Sequence, residues 1–212
     1  MINLGKNVKS VLETYHQRIE QEEDLMKSLP MSENMKWRDE FLLSVGVETG
    51  VFLNTLVKSA KPKIILEVGT SYGYSTIWLA EAAKTYGGHV ITLELSPEKA
   101  HYAQSQIKKA GLSDYVRFEI GDALQSINQI TEGVDFVLLD IWKELYIPCF
   151  DLFYPKLNDG AWILADNMLF PPPSRPDAEA YRKRVKDTNA FDSVLLPIGS
   201  GIEMSFLKAS YS

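Results

Sequence analysis

The sequence predicts an α/β fold built on a doubly wound, mostly parallel sheet. From residue 63 onward, short apolar runs alternate with helical patterns, the order of elements that builds such a sheet with helices on both faces. Two runs, 136–139 and 162–165, each end in an aspartate, and the segment between them suits a crossover helix rather than a hairpin. The 212 residues predict a single domain, 1–212, in which 1–60 form a helical N-terminal cap.

The first predicted element is a long helix. Apolar residues recur at helical spacing over 5–29, and Pro30 ends the pattern. The acids of this helix are predicted to form its solvated face: Glu20, Glu22, Glu23 and Asp24.

Two shorter helices are predicted to complete the N-terminal cap. One covers 31–45, carries Phe41, and is broken by Gly46. Thr49 is predicted to cap the next helix, over 50–60.

The rest of the chain supplies seven predicted strands and the helices between them. The strands are predicted at 63–68, 89–94, 115–120, 136–139, 162–165, 192–198 and 202–208. Beyond the crossover, helices are predicted at 74–86, 97–110, 123–130 and 177–188, with a proline-rich surface loop over 170–177. A short Gly-Ser-Gly separates the last two strands and predicts a hairpin, so the last strand should be antiparallel to its neighbour. Together these elements predict a Rossmann-like sheet.

Composition excludes several classes of function. The net charge of −6 and pI of about 5.2 argue against a sequence-independent nucleic-acid binder, which needs a basic face. The single cysteine, Cys149, favours a reducing, cytoplasmic location, and no stretch resembles a signal peptide or a membrane span. The three histidines are scattered, which argues against a zinc site or a Ser-His-Asp triad.

Polar residues follow two of the predicted strands at the same edge of the sheet. Asp140 ends one strand, and Asp166 and Asn167 end the next, so all three should meet where open α/β sheets bind ligands. Lys143 lies three residues beyond the first acid. An alternative is that both acids only cap helices.

A glycine loop follows the first strand in ILEVGTSYGYST. Gly69 would let the backbone approach a ligand, and Glu94, at the end of the second strand, is suited to a ribose diol. Glu67 precedes the loop in the pattern E-x-G-x-x-x-G, which lacks the G-x-G-x-x-G of dinucleotide sites. Asp122 could receive an adenine amino group or simply cap the following helix.

These blocks resemble the cation-dependent O-methyltransferases, a class I S-adenosylmethionine-dependent family that includes catechol and caffeoyl-CoA O-methyltransferases. The resemblance rests on SVGVETG at 44–50, LEVGTSYGYS at 66–75, and the pair LLDIWKELY and ILADN. It implies metal-dependent transfer of a methyl group to a phenolic, catechol-like hydroxyl, and it also implies a homodimer.

The resemblance also implies roles for individual residues. The cofactor residues would be Val45, Glu67, Gly69, Ser75, Glu94, Asp122, Ala123, Asp140 and Trp142. The metal ligands would be Asp140, Asp166 and Asn167, a set of hard oxygens that suits Mg²⁺, Mn²⁺ or Ca²⁺. Lys143 would be the catalytic base. The acceptor would contact Phe41, Leu43, Lys143, Asn167 and Pro171.

The chain departs from catechol O-methyltransferase near its end. It has no acid around 194–196 to match the glutamate that orients the second hydroxyl, and Glu203 is out of register for that role. A hydroxylated tRNA base or an amine is therefore an alternative acceptor. A non-catalytic adenosylmethionine-binding protein is a further alternative, although it would not need the metal residues or Lys143. A nicotinamide oxidoreductase is disfavoured because the dinucleotide pattern is missing.

Overall fold

The computed structural model describes residues 3–28 and 40–209, which are organised around one seven-stranded sheet. Its α-helices are α1 (Lys6–Ser28), α2 (Val47–Ala60), α3 (Tyr74–Lys84), α4 (Pro97–Ala110), α5 (Ala123–Gln129), α6 (Tyr146–Phe153) and α7 (Arg175–Asp187). The strands are β1 (Ile64–Val68), β2 (His89–Glu94), β3 (Val116–Ile120), β4 (Val134–Leu139), β5 (Leu157–Ala165), β6 (Phe191–Leu196) and β7 (Ile202–Leu207).

The sheet has the predicted doubly wound, mostly parallel topology. The strand order is β3-β2-β1-β4-β5-β7-β6, and β1 to β5 pair in parallel. β7 is antiparallel to both β5 and β6, because the turn after β6 is too short for a crossover. The order reverses between β1 and β4, so the ligand crevice of such a fold lies outside the carboxyl ends of these strands.

The central strands are buried on both faces and separate two apolar cores. Ile65 and Phe136 point into the core formed with α1 to α4, whereas Leu66 and Val137 point into the core formed with α5 to α7. All four side chains are fully buried. Burial on both sides explains why these strands are continuous apolar runs in the sequence.

The helix predicted over 31–45 is wrong where it can be checked. Residues 31–39 lie outside the described part, but 41–45 are not helical. Leu43 has a φ of +44° and Gly46 a φ of +83°, and neither value is compatible with a right-handed helix. The apolar spacing around Phe41 therefore reflects burial of an irregular segment.

Other boundaries also differ from the prediction, most of all the start of β5, which lies at Leu157, five residues before 162. α2 begins at Val47 after Gly46, so Thr49 is not its cap but a buried residue of its first turn. α7 begins at Arg175, inside the predicted loop over 170–177, because Pro176 is tolerated in the first turn of a helix.

Over residues 3–28 and 40–209, we find no helix with both the length and the apolar character that a membrane crossing requires. The single-domain division, the cytoplasmic location and the homodimer stay predictions.

Gly69 generates a prediction about stability. Its φ is +103°, and a Cβ at this position would overlap the backbone carbonyl of Asp140. We expect Gly69→Ala to lower the free energy of unfolding by about 2–4 kcal/mol, since steric overlap adds to backbone strain. Denaturant unfolding would measure this loss.

Gly87→Ala is the matched control. Gly87 also has a positive φ, +82°, but nothing lies within 4 Å of its Cβ position. The control isolates the cost of the backbone conformation, so equal losses in the two variants would contradict the close approach of Gly69 to Asp140.

Candidate functional site

The polar residues singled out in the sequence lie at one edge of the sheet. The Asp140 N–H donates to the Val68 carbonyl at the end of β1, and the Asp166 N–H donates to the Leu139 carbonyl at the end of β4. The Gly69 N–H donates to the Leu93 carbonyl of β2. The strand ladders thus continue into the first residue after each strand, which fixes these backbones side by side.

Lys143 lies beside the residues predicted to bind metal. It opens a 3-10 turn after β4, and its side chain is buried. Its Nζ lies 3.0 Å from Asn167 Oδ1 and 3.3 Å from the Ile141 carbonyl. Asn167 itself has a φ of +55°, a conformation that asparagine tolerates better than most residues. The structure therefore brings the lysine, the amide and the strand ends together.

The two aspartates are electrostatically unfavourable neighbours. Burial and then the charge of Asp140 raise the pKa of Asp166 to about 7. Burial also raises the pKa of Asp140, and the positive charge of Lys143 opposes that rise. Two carboxylates that share a poorly solvated position are stabilised by a cation between them.

The donor set fits a hard divalent cation. Within residues 3–28 and 40–209, no three carboxylate, histidine or cysteine side chains converge as a metal site. A cation at Asp140 and Asp166 would therefore take the Asn167 carbonyl oxygen as its third protein ligand, and three oxygens suit Mg²⁺, Mn²⁺ or Ca²⁺.

Tyr146 is a site residue that sequence reasoning missed. It is fully buried at the start of α6. Its hydroxyl lies 2.5 Å from Lys143 Nζ, 2.9 Å from the Leu139 carbonyl and 3.1 Å from the Asp166 carbonyl. Burial raises the pKa of Tyr146 well above its usual value, so the hydroxyl stays neutral and can accept from the lysine. Tyr146 thus joins the ends of β4 and β5 to Lys143.

Glu67 is enclosed beneath the glycine loop. Its Oε1 accepts from the Ser75 hydroxyl, and its Oε2 accepts from the hydroxyls of Thr76 and Thr92, each at 2.6 Å. Burial raises the pKa of Glu67 to about 7, although the three hydroxyls oppose the rise. Glu67 therefore orients Ser75 and the start of α3, and any direct contact of either residue with a cofactor stays a prediction.

Glu94 holds the glycine loop from the neighbouring strand. Its Oε2 accepts the Ser71 N–H at 2.7 Å and its Oε1 accepts the Ser96 N–H at 2.9 Å. Each oxygen keeps a lone pair for a further donor such as a ribose hydroxyl. The loop also keeps Gly69 in contact with the Asp140 backbone, so the glycine is required by the protein itself.

Other predicted cofactor residues line the same edge. Asp122 caps α5, with its Oδ1 accepting the Gln125 N–H at 2.9 Å, and Ala123 is the first helical residue. Trp142 is 46% exposed after β4. Leu95, 73% exposed immediately after Glu94, is an apolar neighbour that the sequence analysis did not select.

Exposed apolar side chains are concentrated at this edge. Eight large apolar residues of the described part are exposed, and six of them lie at or shortly before the start of α2, or at or beyond the carboxyl ends of β2 to β5. These six are Leu43, Val47, Leu95, Ile120, Trp142 and Phe170. Exposed apolar side chains at these positions would offer contact surface to an organic ligand.

The segments predicted to surround the acceptor lie together. Gly199, in the turn between β6 and β7, approaches the Val45 carbonyl, and the Phe170 N–H donates to the Ser200 carbonyl at 3.1 Å. Phe41 is buried, Leu43 is half exposed, and Pro171 is partly exposed. Their contact with an acceptor stays a prediction.

Glu203 is engaged away from these segments. It pairs with Ala165 across β5 and β7, and its Oε2 accepts from Arg182 Nε of α7 at 2.8 Å. The Glu203 side chain is thus held by Arg182 of α7. Its poor register for orienting an acceptor hydroxyl stays a prediction.

The comparisons with known proteins agree with this fold. A family model described as "O-methyltransferase" matches residues 17–206. The chain therefore belongs to the O-methyltransferase family, which confirms the resemblance seen in the sequence.

Individual relatives include two catechol O-methyltransferases. The chain is similar to a catechol O-methyltransferase of Niastella koreensis, with 37% identity over 60% of this chain and 59% of the relative. It is similar to the Mus musculus catechol O-methyltransferase, with 31% identity over 72% of this chain and 58% of that protein. The aligned part thus spans less than two thirds of either relative. A Bacillus cereus O-methyltransferase solved in complex with SAH superposes with a TM-score of 0.77 and 27% identity, covering 98% of this chain and 93% of the other.

Tyr146 leads to a prediction about the site. We expect Tyr146→Phe to lower the free energy of unfolding by about 1–3 kcal/mol, because it removes a buried hydroxyl that bonds to Lys143 and to the carbonyls at the strand ends. Thermal and denaturant unfolding would measure the loss.

Tyr181→Phe is the matched control. Tyr181 is equally buried and packs edge-to-face on Tyr146 with ring centroids 5.4 Å apart. Its hydroxyl, however, has no hydrogen-bond partner among the described residues. Tyr181→Phe should be nearly neutral, and a loss equal to that of Tyr146→Phe would show that the hydrogen bonds contribute nothing.

Proposed function

We propose that the protein is a divalent-metal-dependent O-methyltransferase that moves the methyl group of S-adenosylmethionine to a hydroxyl of a small phenolic, catechol-like acceptor. The observation that carries the proposal is the convergence of Asp140, Asp166, Asn167 and Lys143 beside the glycine loop. Family membership and similarity to two catechol O-methyltransferases support the reaction class.

The residues at the ends of β1 and β2 suit the proposed cofactor. Adenosylmethionine supplies a methyl group on a positively charged sulfur. Glu94 offers a carboxylate to ribose hydroxyls. Exposed Leu95 and Trp142 offer apolar surface to an adenine ring.

The metal residues suit activation of a hydroxyl. A divalent cation held here would lower the pKa of a coordinated acceptor hydroxyl. Asp140, Asp166 and Asn167 would hold that cation. The raised pKa values of the two acids favour this assignment. A cation between the acids would stabilise the ionised form of each carboxylate.

Lys143 in its neutral form, which a cation held by the two acids would favour, would take the proton of the acceptor hydroxyl at Nζ. The oxygen then attacks the methyl carbon, the carbon–sulfur bond breaks, and the sulfur keeps the bonding electrons as S-adenosylhomocysteine leaves. Tyr146 and Asn167 orient Nζ by contacts of 2.5 and 3.0 Å. A general base must lie within hydrogen-bonding distance of the proton that it takes, whatever its pKa.

Methyl transfer to a panel of catechols, caffeoyl esters and hydroxylated nucleosides tests the reaction class and the acceptor. We expect turnover of vicinal dihydroxy compounds that is lost in EDTA and restored by Mg²⁺. Full turnover by metal-stripped protein would show that the reaction needs no metal. Turnover of nucleosides alone would show that the acceptor is a hydroxylated base and not a phenol.

Lys143→Ala should lower kcat by about 10²–10⁴-fold, the usual contribution of a placed general base. The deficit should shrink as the pH rises and the acceptor ionises without help. Calorimetry should find the affinity for adenosylmethionine little changed.

Lys143→Arg separates proton transfer from ion pairing. Arginine keeps the positive charge near the acids but cannot be deprotonated. We expect it to be nearly as inactive as the alanine variant, whereas an active Lys143→Arg enzyme would make Lys143 an ion-pair partner only.

A further inference from the structure

Helix α1 contacts the glycine loop through two side chains. The Tyr15 hydroxyl donates to the Tyr72 carbonyl at 2.6 Å. The Arg18 guanidinium lies over the Tyr72 ring, 3.9 Å from its centroid, at a distance where a cation attracts an aromatic face. The helix therefore holds the loop from outside the sheet.

The same helix holds the segment that carries Phe41 and Leu43. Arg18 Nη2 donates to the Glu40 carbonyl at 2.9 Å, and Glu22 Oε2 accepts the Leu42 N–H at 2.7 Å. Arg18 and Glu22 are bonded to each other by an Nε to Oε1 contact of 2.6 Å. One ion pair thus touches both segments.

Glu22 differs from the other acids of its charge run. Its side chain is 15% exposed and that of Arg18 23% exposed, whereas Glu23 is 56% exposed and pairs with Lys27 at 3.8 Å. The prediction that the whole run is solvated is therefore wrong for Glu22. A partly buried, charge-assisted contact to the backbone is stronger than an exposed pair on a helix.

The anchored segment is conformationally strained. Leu43 has a φ of +44°, which is unfavourable for a leucine, and it follows directly after Leu42. Strain of this kind persists only where neighbouring contacts determine the backbone. Glu22 supplies such a contact at Leu42, and the Leu42 side chain is itself buried in the core.

We propose that Arg18 and Glu22 are positioning residues that hold the 40–43 segment in the conformation required for acceptor binding and couple it to the glycine loop. The proposal rests on the proposed function, since it takes Phe41 and Leu43 as acceptor contacts. Glu22 contacts the acceptor segment directly and the glycine loop only through Arg18, Tyr15 contacts the glycine loop, and Arg18 contacts both.

Kinetics with catechol as the probe tests this division. We expect Glu22→Ala to raise the KM for catechol about tenfold, the loss expected for one charged hydrogen bond, with a smaller change in the Kd for adenosylmethionine, because Glu22 reaches the glycine loop only through Arg18. Glu22→Gln should recover part of the loss, because its amide oxygen can still accept the Leu42 N–H.

Glu23→Ala is the matched control. It removes an acid from the next position of the same helix and breaks an ion pair of the same spacing, but that pair does not touch residues 40–43. It should leave the KM for catechol unchanged. Equal effects of the two alanine variants would overturn the proposal.

Tyr15→Phe and Arg18→Lys complete the test. Tyr15→Phe should weaken adenosylmethionine binding severalfold and spare the KM for catechol, whereas Arg18→Lys should impair both. The proposal would be wrong if the Tyr15, Arg18 and Glu22 variants all lost affinity for both ligands in parallel with a lower Tm. In that case α1 would only stabilise the fold.

Hydrogen exchange separates this proposal from the proposed function. The Leu42 amide should exchange at least tenfold faster in Glu22→Ala than in the wild type or Glu23→Ala, whether or not the protein methylates catechol. Unchanged exchange would overturn the positioning role. If exchange were accelerated in a protein without methyltransferase activity, the contact of Glu22 with Leu42 would still hold the segment, and only the proposed reaction would be refuted.

Discussion

The buried proximity of Asp140 and Asp166 is the constraint on which the site depends. Parallel pairing of β4 and β5 places the two acids side by side, and burial raises the pKa of both. Lys143 supplies a positive charge, and the neutral hydroxyl of Tyr146 keeps that lysine next to the strand ends. These neighbours compensate the charge of the acids only in part, which is why a cation is chemically favoured there.

The glycine loop after β1 packs directly against the backbone of Asp140, one of these two acids. Gly69 lies so close to the Asp140 carbonyl that a side chain is excluded, and Glu67 fixes the other end of the loop through Ser75 and Thr76. A ligand bound on this loop would therefore lie beside the two acids without a large rearrangement. The proposed cofactor and metal sites share one rigid backbone, which favours precise alignment of a transferred group.

Much of this arrangement could be predicted from the sequence, because local patterns encode it. Buried strands read as apolar runs, the acids that follow them mark the carboxyl edge, and the Gly-Ser-Gly turn determines that β7 is antiparallel. Tyr146 could not be found in this way. It reads as one more apolar residue of α6, and its partners come from the ends of two strands and from a turn.

The N-terminal region was the hardest to predict because its structure is determined by distant contacts. The sequence predicts a helix over 31–45, yet the Leu42 N–H donates to Glu22, twenty residues earlier, on a helix face that the charge run predicts to be solvated. The sheet edge that would carry the chemistry is thus fixed by local pattern, whereas the 40–43 segment depends on α1. A substitution in α1 could then alter acceptor choice without disturbing Asp140, Asp166 or Lys143, so specificity can change while the chemistry is retained.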